Sequence, residues 1–281
     1  MDYKTIIYDK PEEGIARITF NRPEAMNALS LQLIDELYEA ADEAANDDGV
    51  AVLVYRGAGR AFSAGRDFKE RAAVRAATGK DIAREVPGKS HGILGFGDQT
   101  WLHPKCTIAQ VHGYALGGGD LIASACDITI ASEDAKFGFP EIRYGGLTDD
   151  WFWNWLMSPK LVKEYMLTGR NMTAQEAKEN GLVNRVVPLE KLEETVMSLA
   201  RDMANLDKNH PGIIRANKAA INRSHPEIAR ALDPRFFMHR GWMATFSATV
   251  AADRAKFDEK VAKEGVRAGV ASMHKGFTND R

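Results

Sequence analysis

Two glycine-containing segments of this chain have residue types that suit the binding of negative charge. Residues 116–119 (Leu-Gly-Gly-Gly) follow the apolar run 107–111 and lead into the apolar run 121–125, which predicts a strand that turns through three glycines into a helix. Glycine lets a backbone come close to a ligand, and the first amides of a helix have no intrahelical partner. Residues 61–67 (Ala-Phe-Ser-Ala-Gly-Arg-Asp) are similar in character. Two such turns can direct two N–H groups at one oxygen that becomes anionic during a reaction.

The hydrophobic pattern predicts the strands that position these segments. Residues 14–20 alternate between apolar and polar positions, which is typical of a half-buried strand. Residues 50–55 form a continuous apolar run, which indicates a strand covered on both faces. Strand–strand–helix units recur along the chain and indicate an α/β fold. Further strands are predicted over 107–111, 127–131 and 182–187.

Capping residues and helical periodicity predict the helices. Ser30 precedes a helix with apolar positions on one face, and Thr173 precedes the helix 174–179. Residues 71–100 are rich in Arg, Lys, Ala and Gly, and they predict a helix followed by a mobile loop, a suitable place for a substrate-adapted lid. Helices are also predicted over 118–125, 160–167, 189–205, 211–223 and 235–262.

The sheet-forming part of the chain is predicted to end near residue 188. We therefore expect a core formed by residues 1–205 and a helical C-terminal region formed by residues 206–281. The chain has 281 residues, of which 44% are hydrophobic, and this is enough for a full core. The net charge of −2 gives no reason to expect nucleic acid or an anionic membrane as a partner.

The two cysteines and the start of the chain bear on the cellular compartment. Cys106 and Cys126 lie in apolar surroundings, which favours buried thiols over a disulfide, and a metal site needs more ligands than these two. Residues 1–9 are short and mixed, unlike a secretory signal, and no run approaches the roughly 20 apolar residues of a membrane span. We therefore expect a cytoplasmic protein that makes no membrane contact.

An ordered set of short motifs runs along most of the chain. It comprises Asn21-Arg22-Pro23, Asn27-Ala28-Leu29, residues 62–67, residues 112–119, Cys126-Asp127, residues 137–141, residues 167–170 and residues 174–183. In this order and spacing, over roughly residues 5–265, the set resembles the crotonase (enoyl-CoA hydratase/isomerase) superfamily. A triple glycine alone would be weak evidence, but the ordered set is strong.

The resemblance implies a crotonase-like spiral of ββα units that forms two nearly perpendicular sheets, with a helical trimerisation region at the C-terminus. It implies a homotrimer or a hexamer. The implied substrate is an acyl-coenzyme A thioester, so that CoA is part of the substrate and no separate cofactor is expected. No metal, flavin or nicotinamide motif is visible, and the glycines do not match a GxGxxG turn.

The resemblance also assigns residues to the substrate. The backbone amides of Arg66 and Gly118 would form an oxyanion hole. A thioester α-proton becomes acidic enough only if the enolate oxygen is stabilised, and one lost oxyanion donor typically costs about 2.7–4 kcal/mol. Because backbone donors act whatever the side chain is, the Arg66 guanidinium would meet either a CoA phosphate or solvent. The residues that would hold the adenine end of CoA are Ala28, Ala64, Gly65, Asp67 and Phe68.

The proton-carrying residues distinguish the reactions of this family. Its hydratases pair two glutamates across the substrate, and the resemblance places the second of them at Glu141. The first position is Leu121, which can neither accept nor donate a proton. Asp120 is adjacent but points about 100° away around the helix axis. We expect Asp120 to stabilise the helix dipole rather than to replace the missing acid.

A candidate for the second acid lies eight residues after Glu141, at Asp149. Family members that isomerise dienoyl-CoA carry an acid at this spacing, as do members that hydrolyse a hydroxyacyl-CoA. Others use an aspartate in this neighbourhood as the nucleophile of a dehalogenation. Asp149 is therefore a catalytic candidate beside Glu141, whereas Asp150 is one residue out of register. The alternative for both is a loop acid in solvent.

The aromatic residues that follow suggest a pocket for a bulky acyl group. Trp151, Trp153 and Trp155 fall close together, and about half of this aromatic stretch is expected to be core. The candidates for a pocket wall around a cyclic or aromatic acyl group are Trp151 and Tyr144. Tyr144 is also a candidate proton donor to a substrate oxygen, and the alternative is that it only packs, as loop tyrosines often do.

Three functions are compatible with these residues. The leading one is double-bond isomerisation or hydration/dehydration of an enoyl-CoA through a thioester enolate. The second is hydrolysis of a CoA thioester, or of a C–C bond in a β-dicarbonyl CoA ester, with Asp149 placing a water. The third is a non-catalytic acyl-CoA-binding or RNA-binding member of the same fold, against which the retained Glu141 and the intact glycine turn argue.

Overall fold

The computed structural model describes residues 2–79, 92–146, 152–223 and 248–273. These residues form nine strands: β1 (Ile6–Glu12), β2 (Gly14–Phe20), β3 (Val50–Gly57), β4 (Cys106–Val111), β5 (Tyr114–Leu116), β6 (Ile128–Ser132), β7 (Lys136–Gly138), β8 (Met172–Thr173) and β9 (Arg185–Val187). The helices of the described part are α1 (Leu31–Ala45), α2 (Phe68–Thr78), α3 (Gly92–Leu102), α4 (Gly118–Ala125), α5 (Phe152–Leu156), α6 (Pro159–Thr168), α7 (Ala174–Glu179), α8 (Leu189–Asn209), α9 (Ile213–Arg223), α10 (Ala248–Glu264) and α11 (Val266–Met273).

The strands form two sheets, as predicted for this α/β chain. The larger sheet has the order β1-β2-β3-β4-β6-β9, in which β1 is antiparallel to β2 and the other neighbours are parallel. Parallel strands need crossover connections, and helices occupy them. The smaller sheet has the order β5-β7-β8 and lies beside the glycine turns.

Helices cover both faces of the larger sheet, so that the predicted continuous apolar strand over 50–55 is confirmed. Val52 and Val54 of β3 pack on the side of α8, against residues such as Val196. Leu53 and Tyr55 pack on the opposite side, in the core that includes α1 and α4. Successive side chains of a strand point to opposite faces of the sheet. A strand that is buried on both faces is therefore apolar at successive positions and has no polar alternation in its sequence.

The predicted helix caps are confirmed. Ser30 Oγ accepts a hydrogen bond from the Leu33 amide at 3.2 Å at the start of α1. At α7, Thr173 and Glu176 form a reciprocal capping box. Each cap satisfies amides that have no partner inside the helix.

Two local predictions are wrong. A loop is expected at the end of residues 71–100, but the chain forms α3 from Gly92 onward. The apolar residues of α3 pack against α4 and α1, which stabilises the helix. The strand 107–111 does not turn directly into a helix: β5 lies between them, pairs with β7, and extends the smaller sheet. Residues 80–91, where the rest of the expected lid falls, lie outside the described residues.

The C-terminal part is helical, as predicted, and α10 packs against α2. The expected division between residues 205 and 206 falls inside α8, which runs on to Asn209. Much of the helix predicted over 235–262 lies outside the described residues, and α10 accounts for the rest. None of the described helices is long and apolar enough to cross a membrane.

Candidate active site

The two glycine-containing segments lie side by side. The Ser63 amide donates to the Tyr114 carbonyl at 2.8 Å, and the Leu116 amide donates to the Ser63 carbonyl at 3.0 Å. Gly65 has a φ of 84°, and a Cβ at this position would lie 2.5 Å from the Leu116 carbonyl oxygen. Only glycine combines that backbone conformation with so close an approach.

The motif around Asn27 supports the segment that contains Arg66. Asn27 is fully buried, and its Nδ2 donates at 2.8 Å to the carbonyls of Ala58 and Ala61. The Leu29 amide donates to the Gly65 carbonyl at 2.8 Å, and the Leu29 carbonyl accepts from the Asp67 amide at 3.1 Å. Because the Gly65 carbonyl and the Arg66 N–H belong to one trans peptide group, this pairing directs the Arg66 N–H away from Leu29.

The second predicted donor stands at the start of α4. Of the three consecutive glycines, only Gly117 has a positive φ, of 53°, and its amide donates to the Gly138 carbonyl at 2.8 Å. Gly118 is the first residue of α4, and in the described part of the chain its amide has no hydrogen-bond acceptor. Leu29 and Ile93 cover its α-carbon, since a Cβ there would lie within 2.9 Å of both side chains.

Glu141 lies against this turn. It belongs to a 3-10 helix, Pro140–Tyr144, that follows β7. A Cβ on Gly117 would lie 3.2 Å from Cδ of Glu141 and closer still to Oε1. The Glu141 side chain is half-buried, and its Oε2 is buried. The carboxylate is therefore next to the residue that immediately precedes the Gly118 amide.

A cavity of about 850 Å³ opens at this point. The structure brings together, in its wall, seven of the residues predicted from the sequence: Ala28, Ala64, Arg66, Asp67, Phe68, Glu141 and Tyr144. Gly65 and Gly118 are not in the wall but directly adjoin residues that are. Asp149, Asp150 and Trp151 lie outside the described residues.

The cavity wall carries an excess of positive charge. It includes three acids, Glu24, Asp67 and Glu141, and six basic residues, Arg22, Arg60, Arg66, Lys69, Arg143 and Arg267. The chain as a whole has a net charge of −2, so that this surface has the opposite sign to the protein. A cleft with one dominant sign of charge attracts ligands of the other sign, here anions.

The side chain of Asp67 has a structural role. It begins α2, where its Oδ1 accepts hydrogen bonds from the amides of Lys69 and Glu70 at 3.1 Å. Its Oδ2 forms an ion pair with Arg22 at 2.8 Å. Asp67 therefore fixes the junction between the Arg66 segment and α2, and its predicted contact with CoA stays a prediction.

An aromatic cluster forms one side of the cavity. Tyr144 stacks on Phe257 of α10 with centroids 4.9 Å apart, and Phe68 meets both rings edge-on at 5.0 Å. Phe68, predicted to contact CoA, and Tyr144, predicted to contact the acyl group, thus touch each other. Val266, Arg267 and Val270 of α11 complete this side. Sequence reasoning missed them, because no local pattern links α11 to motifs about 200 residues earlier.

The residues after the triple glycine are buried behind the site. Leu121 is in the core, against Gly97 of α3. Asp120 is in the first turn of α4, as predicted, but its carboxyl is fully buried and accepts hydrogen bonds from Ser124 and Trp153. Burial raises the pKa of Asp120 to about 7. This burial opposes the ionised form, so that the stabilisation of the helix dipole by Asp120 stays a prediction.

The aromatic stretch is core where it is described. Phe152 and Trp153 are buried, and Trp155 packs against Trp101. Cys106 and Cys126 are buried free thiols, as predicted. Among the described residues, no group of three or more His, Cys, Asp and Glu side chains is arranged to hold a metal ion.

Comparisons with known sequences agree with the geometry. A family model described as enoyl-CoA hydratase/isomerase matches residues 10–260. A probable enoyl-CoA hydratase of Mycobacterium tuberculosis is 34% identical over 227 residues, which cover 80% of this chain and 83% of that protein. A short-chain-enoyl-CoA hydratase of Clostridium acetobutylicum is 36% identical over 230 residues, which cover 79% and 83%.

Solved structures share the fold. An enoyl-CoA hydratase/isomerase from Xanthobacter autotrophicus Py2 superposes with a TM-score of 0.84 at 34% identity, over 98% of each chain. A monofunctional enoyl CoA isomerase from M. smegmatis gives a TM-score of 0.63 at 29% identity, over 78% of this chain and 93% of that one.

Proposed function

Since the chain belongs to the enoyl-CoA hydratase/isomerase family, we propose that it stabilises the enolate of a CoA thioester and moves a proton along the acyl chain of an enoyl-CoA. It is an enzyme of the enoyl-CoA hydratase/isomerase type. The residue roles and the choice of reaction below are part of the proposal.

The charge and size of the cavity support CoA as the carrier. Six basic residues against three acids suit the pyrophosphate and 3′-phosphate of CoA, and a volume of about 850 Å³ is of the size of small-molecule sites. We assign the adenine end to the wall formed by Ala28 and the segment 64–68. Arg66 lines the same cavity, and we propose that its guanidinium contacts a phosphate of CoA.

The backbone amides of Arg66 and Gly118 are proposed to hold the thioester oxygen. Two observations support this: the Leu29 pairing directs the Arg66 N–H away from Leu29, and the Gly118 amide has no acceptor among the described residues. Each donor is expected to contribute about 2.7–4 kcal/mol to the transition state. Neither contribution depends on a side chain.

Glu141 is proposed to move the proton. The observation that carries this role is the contact of its carboxylate with Gly117, the residue before the proposed oxyanion donor, inside the same cavity. Glu141 would take a proton from C2 of a 3-enoyl-CoA, and the electron pair would pass to the thioester oxygen as a dienolate. The same carboxyl would return the proton to C4, giving the 2-enoyl-CoA with no net gain or loss of atoms.

We favour isomerisation over hydration because of Leu121. Addition of water is best served by two carboxylates that hold one water, and the position of the first one is a buried leucine. Isomerisation needs one shuttling base. Asp149 is the proposed partner of Glu141 if a second acid takes part. The other reaction that we consider for this site is hydration or dehydration of an enoyl-CoA.

A Glu141→Gln variant tests the proton carrier. We expect its isomerisation rate to fall by about 10²–10⁴-fold with little change in CoA-ester binding, because glutamine keeps the shape but cannot accept the proton. Exchange of the C2 proton of a saturated acyl-CoA in D2O should fall in parallel. Asp149→Asn makes the same carboxylate-to-amide change at the second candidate acid and tests its role. If neither variant slows the best substrate, the assignment of both acids is wrong.

A thiol assay separates the alternative functions. Hydrolysis of a thioester would release free CoA, and Asp149→Asn would then be the variant that abolishes release. The absence of turnover, with tight binding of CoA esters, would indicate a non-catalytic member of the fold. If the protein is an isomerase, the absorbance of the enoyl thioester should change and no free thiol should be released.

The assembly, the compartment and the acyl group are also proposals. We propose a homotrimer or a hexamer, testable by light scattering, and a cytoplasmic location. We propose that no cofactor is needed, which predicts full activity after dialysis against a chelator. Trp151 and Tyr144 are the proposed contacts of a bulky acyl group. A series of thioesters tests this, and fastest turnover of crotonyl-CoA would count against it.

A further inference from the structure

Asp120 is a fully buried carboxyl group close to the proposed oxyanion hole. Its Oδ1 accepts a hydrogen bond from Ser124 Oγ at 2.7 Å and one from the Trp153 indole N–H at 3.0 Å. Its Oδ2 is buried and has no hydrogen-bond partner among the described residues. A buried carboxylate is stable only with several donors or a nearby cation. Two side-chain donors on one oxygen, with the Gly138 amide as a further donor, leave the ionised form poorly solvated in a fully buried site.

No cation in the described part of the chain offsets this burial. α4 packs against α3, α5, β4 and β5, while β7 pairs with β5 and brings the Gly138 amide to Asp120, and the 3-10 helix follows β7. None of the charged or titratable side chains on these elements forms an ion pair with Asp120; they are Asp98, Cys106, Tyr114, Lys136, Glu141, Arg143 and Tyr144. Burial therefore raises the pKa of Asp120 to about 7, although hydrogen bonds from Ser124, Trp153 and the Gly138 amide act to lower it.

Asp120 connects the two halves of the proposed site. It follows the Gly118 amide by two residues on α4. Its partner Trp153 lies edge-on against Phe139, with centroids 5.2 Å apart, and Phe139 precedes Glu141 by two residues. One buried cluster thus links the helix that carries an oxyanion donor to the turn that carries the base.

We propose that Asp120 is a positioning residue that works as a neutral carboxylic acid. Its hydrogen bond with Trp153 fixes α4 relative to the Glu141 turn. Because the acid is uncharged, the positive end of the α4 dipole can stabilise the negative charge on the substrate oxygen. When ionised, it places a fixed negative charge beside the amide that must stabilise an enolate, and it opposes that enolate. The inference rests on the proposed function, because the enolate belongs to it.

The pH dependence of kcat/KM tests the proposal, since this quantity reports the ionisations of the free enzyme. Wild-type kcat/KM for a 3-enoyl-CoA should fall by about tenfold per pH unit above pH 7, and so by roughly 30-fold at pH 8.5. Asp120→Asn retains an acceptor for Trp153 but cannot ionise. Its profile should stay flat over this range, so that it exceeds the wild type at pH 8.5. An alkaline limb in Asp120→Asn that matches the wild type overturns the proposal.

A second variant keeps the test decisive if Asp120→Asn folds poorly. Ser124→Ala removes a donor to the ionised form, which raises the pKa of Asp120 further and should move the alkaline limb to higher pH by about one unit. The control is Ser132→Ala, a buried serine of β6 whose Oγ donates to the Val111 carbonyl at 3.4 Å. A limb that moves equally in both serine variants, or in neither, overturns the proposal.

Infrared spectroscopy distinguishes failure of the proposal from failure of the proposed function. Between pH 6 and pH 8.5 the wild type should lose one protonated-carboxyl band that is absent from Asp120→Asn at both pH values. The absence of this band overturns the proposal without reference to activity. If the wild type turns over no CoA ester, the proposed function is wrong, and the positioning role of Asp120 is then wrong as well. Turnover with an unchanged limb in Asp120→Asn overturns the positioning role alone.

Discussion

Gly117→Ala should abolish most activity, with a smaller loss of stability. A Cβ at Gly117 would lie 3.2 Å from Cδ of Glu141 and closer still to its Oε1. The carboxylate must therefore retreat by about 1 Å, and a misplacement of that size can lower a rate by roughly 10²-fold. The backbone adds strain: Gly117 has a φ of 53° and a ψ of −120°, a conformation that favours glycine, and strain of this kind costs about 1–3 kcal/mol.

The assay combines rates with melting temperatures. Initial rates of 3-enoyl-CoA isomerisation, followed by the absorbance of the conjugated thioester, should fall by about 10²-fold in Gly117→Ala. The matched control is Gly212→Ala, at a glycine with a φ of 80° and no atom within 4 Å of an added Cβ. It should lower the melting temperature to a similar extent and leave the rate unchanged.

A double-variant cycle shows whether the effect acts through Glu141. In a Glu141→Gln background the base is already lost, so that Gly117→Ala should cost little further activity, because residues that act as a unit are not additive. A full further loss of about 10²-fold would mean that the alanine acts by displacing the Gly118 amide instead. That result would refute the reasoning about the carboxylate.

Two further predictions concern stability. Asp258→Ala should lower the free energy of unfolding by about 1.5–3 kcal/mol, since it removes a buried carboxylate that pairs with Arg75 at 2.8 Å and lies 3.7 Å from Arg71; Glu259→Ala, which breaks an exposed pair with Lys263 on the same helix, should cause no measurable change in urea unfolding. The raised pKa of Asp120 means that the folded state binds its proton more tightly than the unfolded state, so the associated stability is complete below pH 3.8 and is lost as the pH rises to about 7. The free energy of unfolding of the wild type, relative to Asp120→Asn, should therefore fall by about 4 kcal/mol between pH 4 and pH 8, and parallel pH curves for the two proteins would contradict this.

Much of the fold could be predicted from the sequence, because its signals are local. The alternation of residues 14–20, the apolar run of β3 and the caps at Ser30 and Thr173 each depend on neighbours within one or two turns. The glycine segments belong to the same class, since a positive φ or a close backbone approach restricts the residue type directly. The order of the motifs then indicated the family, and with it Glu141.

The sequence by itself therefore determined most of the elements and the family, and it supplied the proposal of Glu141 as the principal acid. Only the tertiary structure decided that the Glu141 carboxylate rests on Gly117, that α11 closes a cavity begun by the segment 64–68, and that Asp120 faces Trp153 instead of solvent. Each of these is a contact between segments distant in the chain. Burial and the charge state of a buried group are set by everything that surrounds it, which no local pattern of residues records.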